Sequence, residues 1–243
     1  MNRILSFHNK YRGILIAVII FLGITFRFSL INLPTNYDFE SYKIVANIVD
    51  SGKNVYAETS RYNYSPLWAN ILFLINLISR QFSNSEFVFK FLIIAILNFA
   101  DIGIFLILLK KFGLKVATIF YLNPLSILIT GYHRQFDNLA VFFALFAMFN
   151  LEKKDATSRI LSAKYFGIFF LTISILIKHI FILFPVWMIF QEKNWRDKII
   201  WLIPILMFLI SFLPYWKEGS NGIIQNVFQY TPTTNFPFLR NFI

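Results

Sequence analysis

The feature that most constrains this chain is a series of apolar runs separated by short clusters of basic residues. The first run extends from Gly13 to about Leu33. An apolar run of about 20 residues is long enough, as a helix, to cross a hydrocarbon core of about 30 Å. Charged residues make up 14% of the chain, against about 25% in soluble domains. The sequence therefore predicts an all-α, polytopic membrane protein, because helices satisfy their own backbone groups in lipid.

Composition also excludes several classes of function. The first run is too long for the apolar part of a signal peptide, and no small-residue cleavage site follows it. The net charge of +11 is explained by the enrichment of Lys and Arg in cytoplasmic loops, so we expect no nucleic-acid partner. The chain has no Cys, which excludes disulfides, thiolate chemistry and Cys-ligated metals.

The basic clusters indicate how the runs are oriented. They are Arg3/Lys10/Arg12, Lys110/Lys111/Lys115, Lys153/Lys154/Arg159/Lys164 and Lys193/Arg196/Lys198. If all of them face the cytoplasm, an even number of crossings separates each neighbouring pair.

This rule decides how the short run Pro66–Ser79 is interpreted. It lies with Gly13–Leu33 and Phe87–Leu109 between the first two clusters, and three crossings there would place the second cluster outside. The run is shorter than a span needs and is interrupted by Asn70 and Asn76. We interpret it as a helix that begins at Pro66 and lies in the outer interface or dips partway in. The alternative is an ordinary short span.

Two further segments are predicted to be hairpins that turn on the outer side. Val116–Thr130 and Leu139–Asn150 flank a polar turn over residues 131–138. Tyr165–Phe190 is either one span with Lys178-His179 at mid-depth or a hairpin turning at Ile177-Lys178-His179. A cation at the bilayer centre costs about 2.5–3.5 kcal/mol on insertion scales, so the hairpin is favoured.

The prediction is therefore about seven transmembrane helices, several of them short, with a cytoplasmic amino terminus. The short helices should line a water-accessible cavity inside the bundle. An extracytoplasmic loop at 34–86 contains the interfacial helix, and a polar, aromatic, extracytoplasmic tail covers 214–243. The predicted spans are 13–33, 87–109, 116–130, 139–150, 165–177, 180–190 and 199–213.

This topology collects candidate site residues on the outer face. Asp38 and Glu40 follow the first span. The other candidates, from the two outer turns, are His133, Arg134, Gln135, Asp137, Lys178 and His179. A carboxylate can take a proton from a hydroxyl nucleophile. Lys, Arg and His can neutralise a phosphate leaving group at membrane-surface depth.

Each candidate also has a structural interpretation. Asp38 and Glu40 can be the solvated first turn of a helix, in which carboxylates are favoured. His133-Arg134 and Lys178-His179 can be interfacial pairs whose long cationic side chains reach the headgroups. Asp101 lies in mid-span, and for it we expect a role in hydrogen bonding between helices.

The helix start near the acidic pair has its own signal, since Asn36 or Asp38 can cap the run Phe39–Val49. Asp38 and Glu40 could together bind one divalent ion, but two carboxylates are not a metal-site signature, and we expect no required cofactor. The chain lacks HExxH, GxGxxG, P-loop and GxSxG patterns, so metalloprotease, nucleotide and serine-hydrolase chemistries have no support.

A set of short motifs occurs in a definite order along the chain. They are Tyr37-Asp38-Phe39-Glu40, Tyr64-Ser65-Pro66-Leu67, Ala100-Asp101, His133-Arg134-Gln135-Phe136-Asp137-Asn138, Lys178-His179, and Val227-Phe228-Gln229-Tyr230 with Thr234-Asn235-Phe236. In this order the segments resemble the GT-C superfamily of integral-membrane glycosyltransferases. The likeness is nearest to the dolichyl-phosphate-glucose-dependent glucosyltransferases of N-glycan precursor assembly and their prokaryotic relatives.

The resemblance implies transfer of a hexose from a polyprenyl-phosphate donor to a hydroxyl of a lipid-linked or similar acceptor. The reaction would invert the anomeric configuration on the extracytoplasmic or lumenal face of a plasma, inner or endoplasmic-reticulum membrane. By resemblance Asp38 is the general base and Glu40 its orienting neighbour. His133, Arg134 and Lys178 are candidates for the donor phosphate.

Two departures from the family pattern leave rival functions open. Ser65 stands where a Pro is usual, and members of the family are considerably longer. We therefore expect a truncated chain, one half of a split enzyme whose partner chain supplies further spans, or a module inactive alone. The rival functions are a non-catalytic transporter or lipid-phosphate-binding protein, and an accessory subunit.

Overall fold

A computed structural model describes residues 2–151 and 159–230, which form helices and no strands. This confirms the all-α prediction. The helices are α1 Asn2–Ser29, α2 Tyr37–Asp50, α3 Val55–Glu58, α4 Pro66–Ser79, α5 Ser85–Phe112, α6 Leu114–Tyr121, α7 Pro124–Leu128, α8 Asp137–Leu151, α9 Arg159–Ile177, α10 Leu183–Gln191, α11 Trp195–Ile210 and α12 Trp216–Gly222. Lys153, Lys154, the tail residues 231–243 and the motif Thr234-Asn235-Phe236 lie outside the described residues.

Three helical segments are long and apolar enough to cross a membrane: Tyr11–Ser29 in α1, Ser85–Phe112, and Trp195–Phe228, which continues through α11 and α12. The pair α6 and α7 adds a fourth candidate if it is one broken span. These helices identify a membrane protein. Shorter apolar helices accompany them: Pro66–Ser79, Asp137–Leu151, Ala163–Ile177 and His179–Gln191.

The predicted span 116–130 is bent by 45° where α6 meets the segment Pro124–His133. Pro124 has no backbone N–H to continue a helix, which is a common cause of such kinks. The Asn123 side chain accepts a hydrogen bond from the Leu125 amide at 2.9 Å and so caps the new helix. The last turn, Ile129–His133, is a π-helix.

The chain reverses direction around Lys178. α9 ends at Ile177, and Lys178 is extended, with φ −152° and ψ 122°. After α10 the chain is back near the start of α9, because Lys164 Nζ lies 3.1 Å from Glu192 Oε1. Lys164 is also 2.7 Å from Asp197 at the start of α11. Lys178 and Lys164 therefore lie at opposite ends of α9.

The helices α2 and α4 run side by side in the same direction. The Tyr42 and Trp68 rings, near the two helix starts, pack edge to face at 5.8 Å. Near the two helix ends, Arg80 forms an ion pair with Asp50. Pro66 starts α4 as predicted, and Trp68 is fully buried in the main hydrophobic core. Burial of these aromatic side chains fixes the loop that follows α1 against the bundle.

Candidate functional site

A cavity of about 370 Å³ opens at the end of the bundle where α2, α4 and α8 begin. It is lined by aromatic rings, by amide and hydroxyl groups, and by two acidic and two basic side chains. The aromatic residues are Tyr37, Tyr42, Tyr64, Phe136 and Tyr230. The neutral polar residues are Ser41, Ser60, Asn63, Gln135, Gln225 and Asn226, and the charged residues are Asp38, Arg61, Asp137 and Lys178. Clefts whose walls combine aromatic rings with convergent polar groups are typical of small-molecule sites, and in this cavity the polar side chains predominate.

Asp38 is held at the cavity by the way α2 begins. Asn36 caps the helix by accepting a hydrogen bond from the Phe39 amide at 2.9 Å. The Asn36 side chain also donates to the Tyr132 carbonyl at 3.1 Å, which ties the helix start to the π-helix Ile129–His133. Asp38 Oδ2 accepts a hydrogen bond from Gln135 Nε2 at 3.0 Å. One carboxylate edge is therefore oriented by an amide from a distant part of the chain.

The turn that carries Gln135 and Asp137 has two unusual backbone features. The π-helix Ile129–His133 leads into it, and such turns are frequent at functional sites. Arg134 then adopts a left-handed conformation with φ 57° and ψ 32°, which is uncommon for a residue other than Gly. Its side chain is fully buried, donates to the Ile31 carbonyl at 3.3 Å, and lies 5.1 Å from the Phe39 ring centre. Arg134 thus anchors the turn from behind.

Lys178 reaches the cavity from the chain reversal between α9 and α10. Its ammonium forms an ion pair with Asp137 Oδ1. It also lies 5.4 Å from the Tyr64 ring centre and 5.5 Å from that of Phe136. These ring faces attract a cation. The cavity therefore contains a lysine whose charge is already compensated by a carboxylate.

Ser65, which stands where the resembled family has Pro, connects two walls of the cavity. It is buried, and its hydroxyl donates to the Leu176 carbonyl. That carbonyl belongs to the last turn of α9 and has no partner within the helix. The contact fixes the loop before α4 next to the turn that presents Lys178.

The remaining predicted site residues do not line the cavity. Glu40 is exposed, and its Oε2 is 3.9 Å from Arg61 Nη2. His133 packs against the Tyr132 ring, and Arg134 is buried behind the turn. The His179 ring lies 5.4 Å from that of Phe208. Asp38, Gln135, Asp137 and Lys178 are the candidates that the fold brings together.

Sequence reasoning missed several residues of the cavity wall. Arg61 comes from the irregular segment between α3 and α4, and its guanidinium lies 3.8 Å from the Tyr37 ring centre. Gln225 and Asn226 come from a second π-helix, Ile223–Phe228. The motif at Tyr64-Ser65-Pro66 was a sequence signal for this loop. Tyr230, at the end of the last described segment, belongs to the motif Val227-Phe228-Gln229-Tyr230.

Two tyrosines of the cavity stay neutral over the physiological range. Burial raises the pKa of the Tyr42 hydroxyl, and the neighbouring Tyr64 and Asp38 raise it further. Burial likewise raises the pKa of Tyr64, with further contributions from the negative charges of Asp137 and Asp38. Their O–H groups therefore remain hydrogen-bond donors next to the carboxylates.

Within residues 2–151 and 159–230 no group of three or more His, Asp or Glu side chains is arranged to hold a metal ion. No protein-family model, curated protein or solved structure matches this chain.

Proposed function

We propose that this protein is a membrane glycosyltransferase of GT-C type. It transfers a hexose from a polyprenyl-phosphate donor to a hydroxyl acceptor on the extracytoplasmic face, with inversion. The observation that carries the proposal is the position of Asp38. Its carboxylate is held by Gln135 at the wall of a cavity that also contains Lys178. The ordered motifs that resemble the GT-C superfamily support the same reaction.

The proposed topology has about seven crossings, in which the short helices also span as parts of the bundle. The reversal at Lys178 supports separate crossings by α9 and α10, because Lys164 and Glu192 meet at the opposite end. That end is close to the basic clusters around Lys164 and Lys193, which are expected in the cytoplasm. The cavity then faces the extracytoplasmic side, where lipid-linked donors present their sugars.

In the proposed reaction Asp38 is the general base. The acceptor hydroxyl gives its proton to the carboxylate, and its oxygen attacks the anomeric carbon of the donor. The bond between that carbon and the phosphate oxygen breaks, and the phosphate leaves with the electron pair. Gln135 holds one edge of the Asp38 carboxylate, so the base is oriented before the substrates arrive.

The cavity wall is suited to a sugar. Tyr37, Tyr42, Tyr64 and Tyr230 offer flat apolar faces together with hydroxyl groups. Amides such as Asn63 and Gln225 offer both donors and acceptors to ring hydroxyls. Lys178, although paired with Asp137, contributes positive charge near the leaving phosphate as that group develops negative charge.

The test compares two carboxylates on the same helix. Asp38→Asn should abolish hexose transfer from a polyprenyl-phosphate hexose in reconstituted liposomes, because the amide cannot accept the proton. Asp50→Asn is the matched control: Asp50 ends α2 in an ion pair with Arg80 and does not line the cavity. It should retain transfer.

Full activity of Asp38→Asn would show that Asp38 is not the general base. Binding of the donor by the unmodified chain, without product from any hydroxyl acceptor offered, would instead favour a lipid-phosphate-binding protein.

A further inference from the structure

The cavity contains a second cation, Arg61, whose hydrogen-bonding capacity is only partly used by the surrounding protein. The Arg61 side chain is 22% exposed. Its Nε is buried and has no hydrogen-bond partner among the described residues. Its Nη2 donates to the Tyr37 carbonyl at 3.2 Å, and the nearest carboxylate oxygen, on Glu40, is 3.9 Å away.

Lys178 is in a different state. Its ammonium is in direct contact with Asp137, so much of its charge is compensated. Arg61 instead stacks on the Tyr37 ring at 3.8 Å, which orients the guanidinium plane. Its contact with a carboxylate is the longer one to the exposed Glu40, which neutralises it less than Asp137 neutralises Lys178. An arginine held in one plane can present two parallel N–H groups to a phosphate, which an ammonium cannot do.

The segment that carries Arg61 is fixed before any ligand binds. The Tyr62 hydroxyl donates to the Ser65 carbonyl at 2.5 Å and accepts from the Ala69 amide at 2.8 Å. The Tyr56 hydroxyl donates to the Tyr64 carbonyl at 2.8 Å. The Tyr56 and Tyr62 side chains are buried, so the loop is attached to the core before and after Arg61. Binding of a ligand therefore costs little free energy for ordering this loop.

We propose that Arg61 binds the phosphate of the anionic ligand that enters this cavity. The ligand class is a phosphate mono- or diester, and the identification of the cavity as its site rests on the proposed function. Lys178, paired with Asp137, is the secondary cation of the site. A lipid-linked phosphate and a free phosphate offer the same oxygens, so the experiment treats them separately.

The experiment measures equilibrium binding of radiolabelled polyprenyl monophosphate to the full chain in nanodiscs. Inorganic phosphate and the uncharged polyprenol serve as competitors. Arg61→Gln should weaken binding about tenfold or more, as expected for loss of charged hydrogen bonds. Arg61→Lys should weaken it about threefold, since charge is kept and the planar fork is lost. Arg80→Gln removes a partly exposed arginine outside the cavity and should leave affinity within about twofold.

Competition by inorganic phosphate alone identifies a free phosphate as the source. Competition by neither phosphate nor polyprenol, with tight binding of the phosphorylated lipid, identifies a lipid-linked one. Equal binding of polyprenol and polyprenyl phosphate, or no binding of either phosphate, overturns the proposal. So does an Arg61→Gln affinity equal to that of the unmodified chain.

A second measurement needs no variant. Phenylglyoxal modifies arginine side chains, and peptide mass spectrometry reports each site. Polyprenyl phosphate should protect Arg61 and leave Arg80 reactive, and reaction of Arg61 at an unchanged rate overturns the assignment. Loss of phosphate binding in Arg61→Gln without any sugar transfer by the unmodified chain would uphold this inference while the proposed function fails. Sugar transfer by the unmodified chain, together with phosphate binding that is unchanged in Arg61→Gln, would uphold the proposed function and overturn this inference.

Discussion

Arg27 and Asp101 form an ion pair in which neither side chain is exposed to solvent, with Nε 2.8 Å from Oδ2. The two residues lie on α1 and α5, which are both candidate membrane spans. Arg27 also donates to Ser126 Oγ at 2.9 Å. The hydrogen-bonding role between helices that was predicted for Asp101 is thereby confirmed, with a counter-ion that the sequence analysis did not identify.

The same carboxylate holds both ends of the turn that leads to the cavity. Asp101 Oδ2 accepts from the Thr130 hydroxyl at 2.6 Å, and Oδ1 accepts from the Asn138 amide at 2.7 Å. Thr130 is in the π-helix before the turn, and Asn138 is in the first turn of α8. The position of Gln135 and Asp137 therefore depends on a charge buried between helices.

Removing Arg27 should strongly destabilise the protein. In Arg27→Leu the Asp101 carboxylate loses its buried partner, and we expect a loss of about 3–5 kcal/mol in unfolding free energy. The double variant Arg27→Leu/Asp101→Leu removes both charges and should recover part of this loss. The measurement is the unfolding midpoint in a titration of detergent-solubilised protein with sodium dodecyl sulfate.

Lys43→Met is the control for this experiment, because it breaks an ion pair with Glu86 in which the side chains are 43% and 47% exposed. It should cost less than about 1 kcal/mol. Equal effects of Arg27→Leu and Lys43→Met would contradict the importance assigned to the buried pair.

Gln135→Glu should move the pH dependence of transfer. The substitution places a second carboxylate where the Gln135 amide now donates to Asp38 Oδ2 at 3.0 Å. Two adjacent negative charges disfavour ionisation, so the apparent pKa of the base rises. The acidic limb of the rate profile should shift up by about one pH unit or more. Gln135→Leu should lower the rate without this upward shift, and identical limbs in both variants would argue against Asp38 as the titrating base.

Lys178 can be tested for a role beyond its contact with Asp137. The Lys178 and Asp137 side chains are 19% and 36% exposed, so the pair should contribute only about 1 kcal/mol or less to stability. Loss of the ammonium at the leaving phosphate should lower transfer about a hundredfold in Lys178→Gln. The double variant Lys178→Gln/Asp137→Asn should remain as slow. Recovery of transfer in the double variant would mean that Lys178 only neutralises Asp137.

The orientation can be measured with single cysteines, since the 243-residue sequence contains none. Glu40 and Lys193 are both exposed. Glu40→Cys should react with a membrane-impermeant maleimide in intact cells, and Lys193→Cys should react only after permeabilisation. The opposite pattern would place the cavity on the cytoplasmic side and exclude a donor presented outside.

Local sequence signals predicted much of the helical framework. Pro66 and the run after it gave the bounds of α4, and the cost of a buried cation indicated the reversal at Lys178. Asn36 was one of two predicted caps for α2, and it is the one used. These features depend on residues close together in sequence, so their patterns are visible in the chain itself.

The cavity was only partly predictable because its contacts join distant segments. An arginine is a typical phosphate ligand. The backbone of Arg134 is left-handed, however, and its side chain is directed to the Phe39 ring and not into the cavity. Arg61 looks like an ordinary loop charge until Tyr37 is known to lie under it. Gln225 comes from a π-helix that no local periodicity indicated. Such placements follow from packing, and sequence spacing carries little information about them.

The wall of the cavity is built from widely separated parts of the chain, represented by Asp38, Arg61, Gln135, Lys178 and Gln225. During synthesis the earliest of these residues enters the membrane long before the latest is translated. The site therefore cannot exist until the late helices have inserted and packed against the early ones. An intermediate that lacks the late helices contains Asp38 and Gln135 but not Lys178 or Gln225, so the complete cavity exists only in the finished assembly.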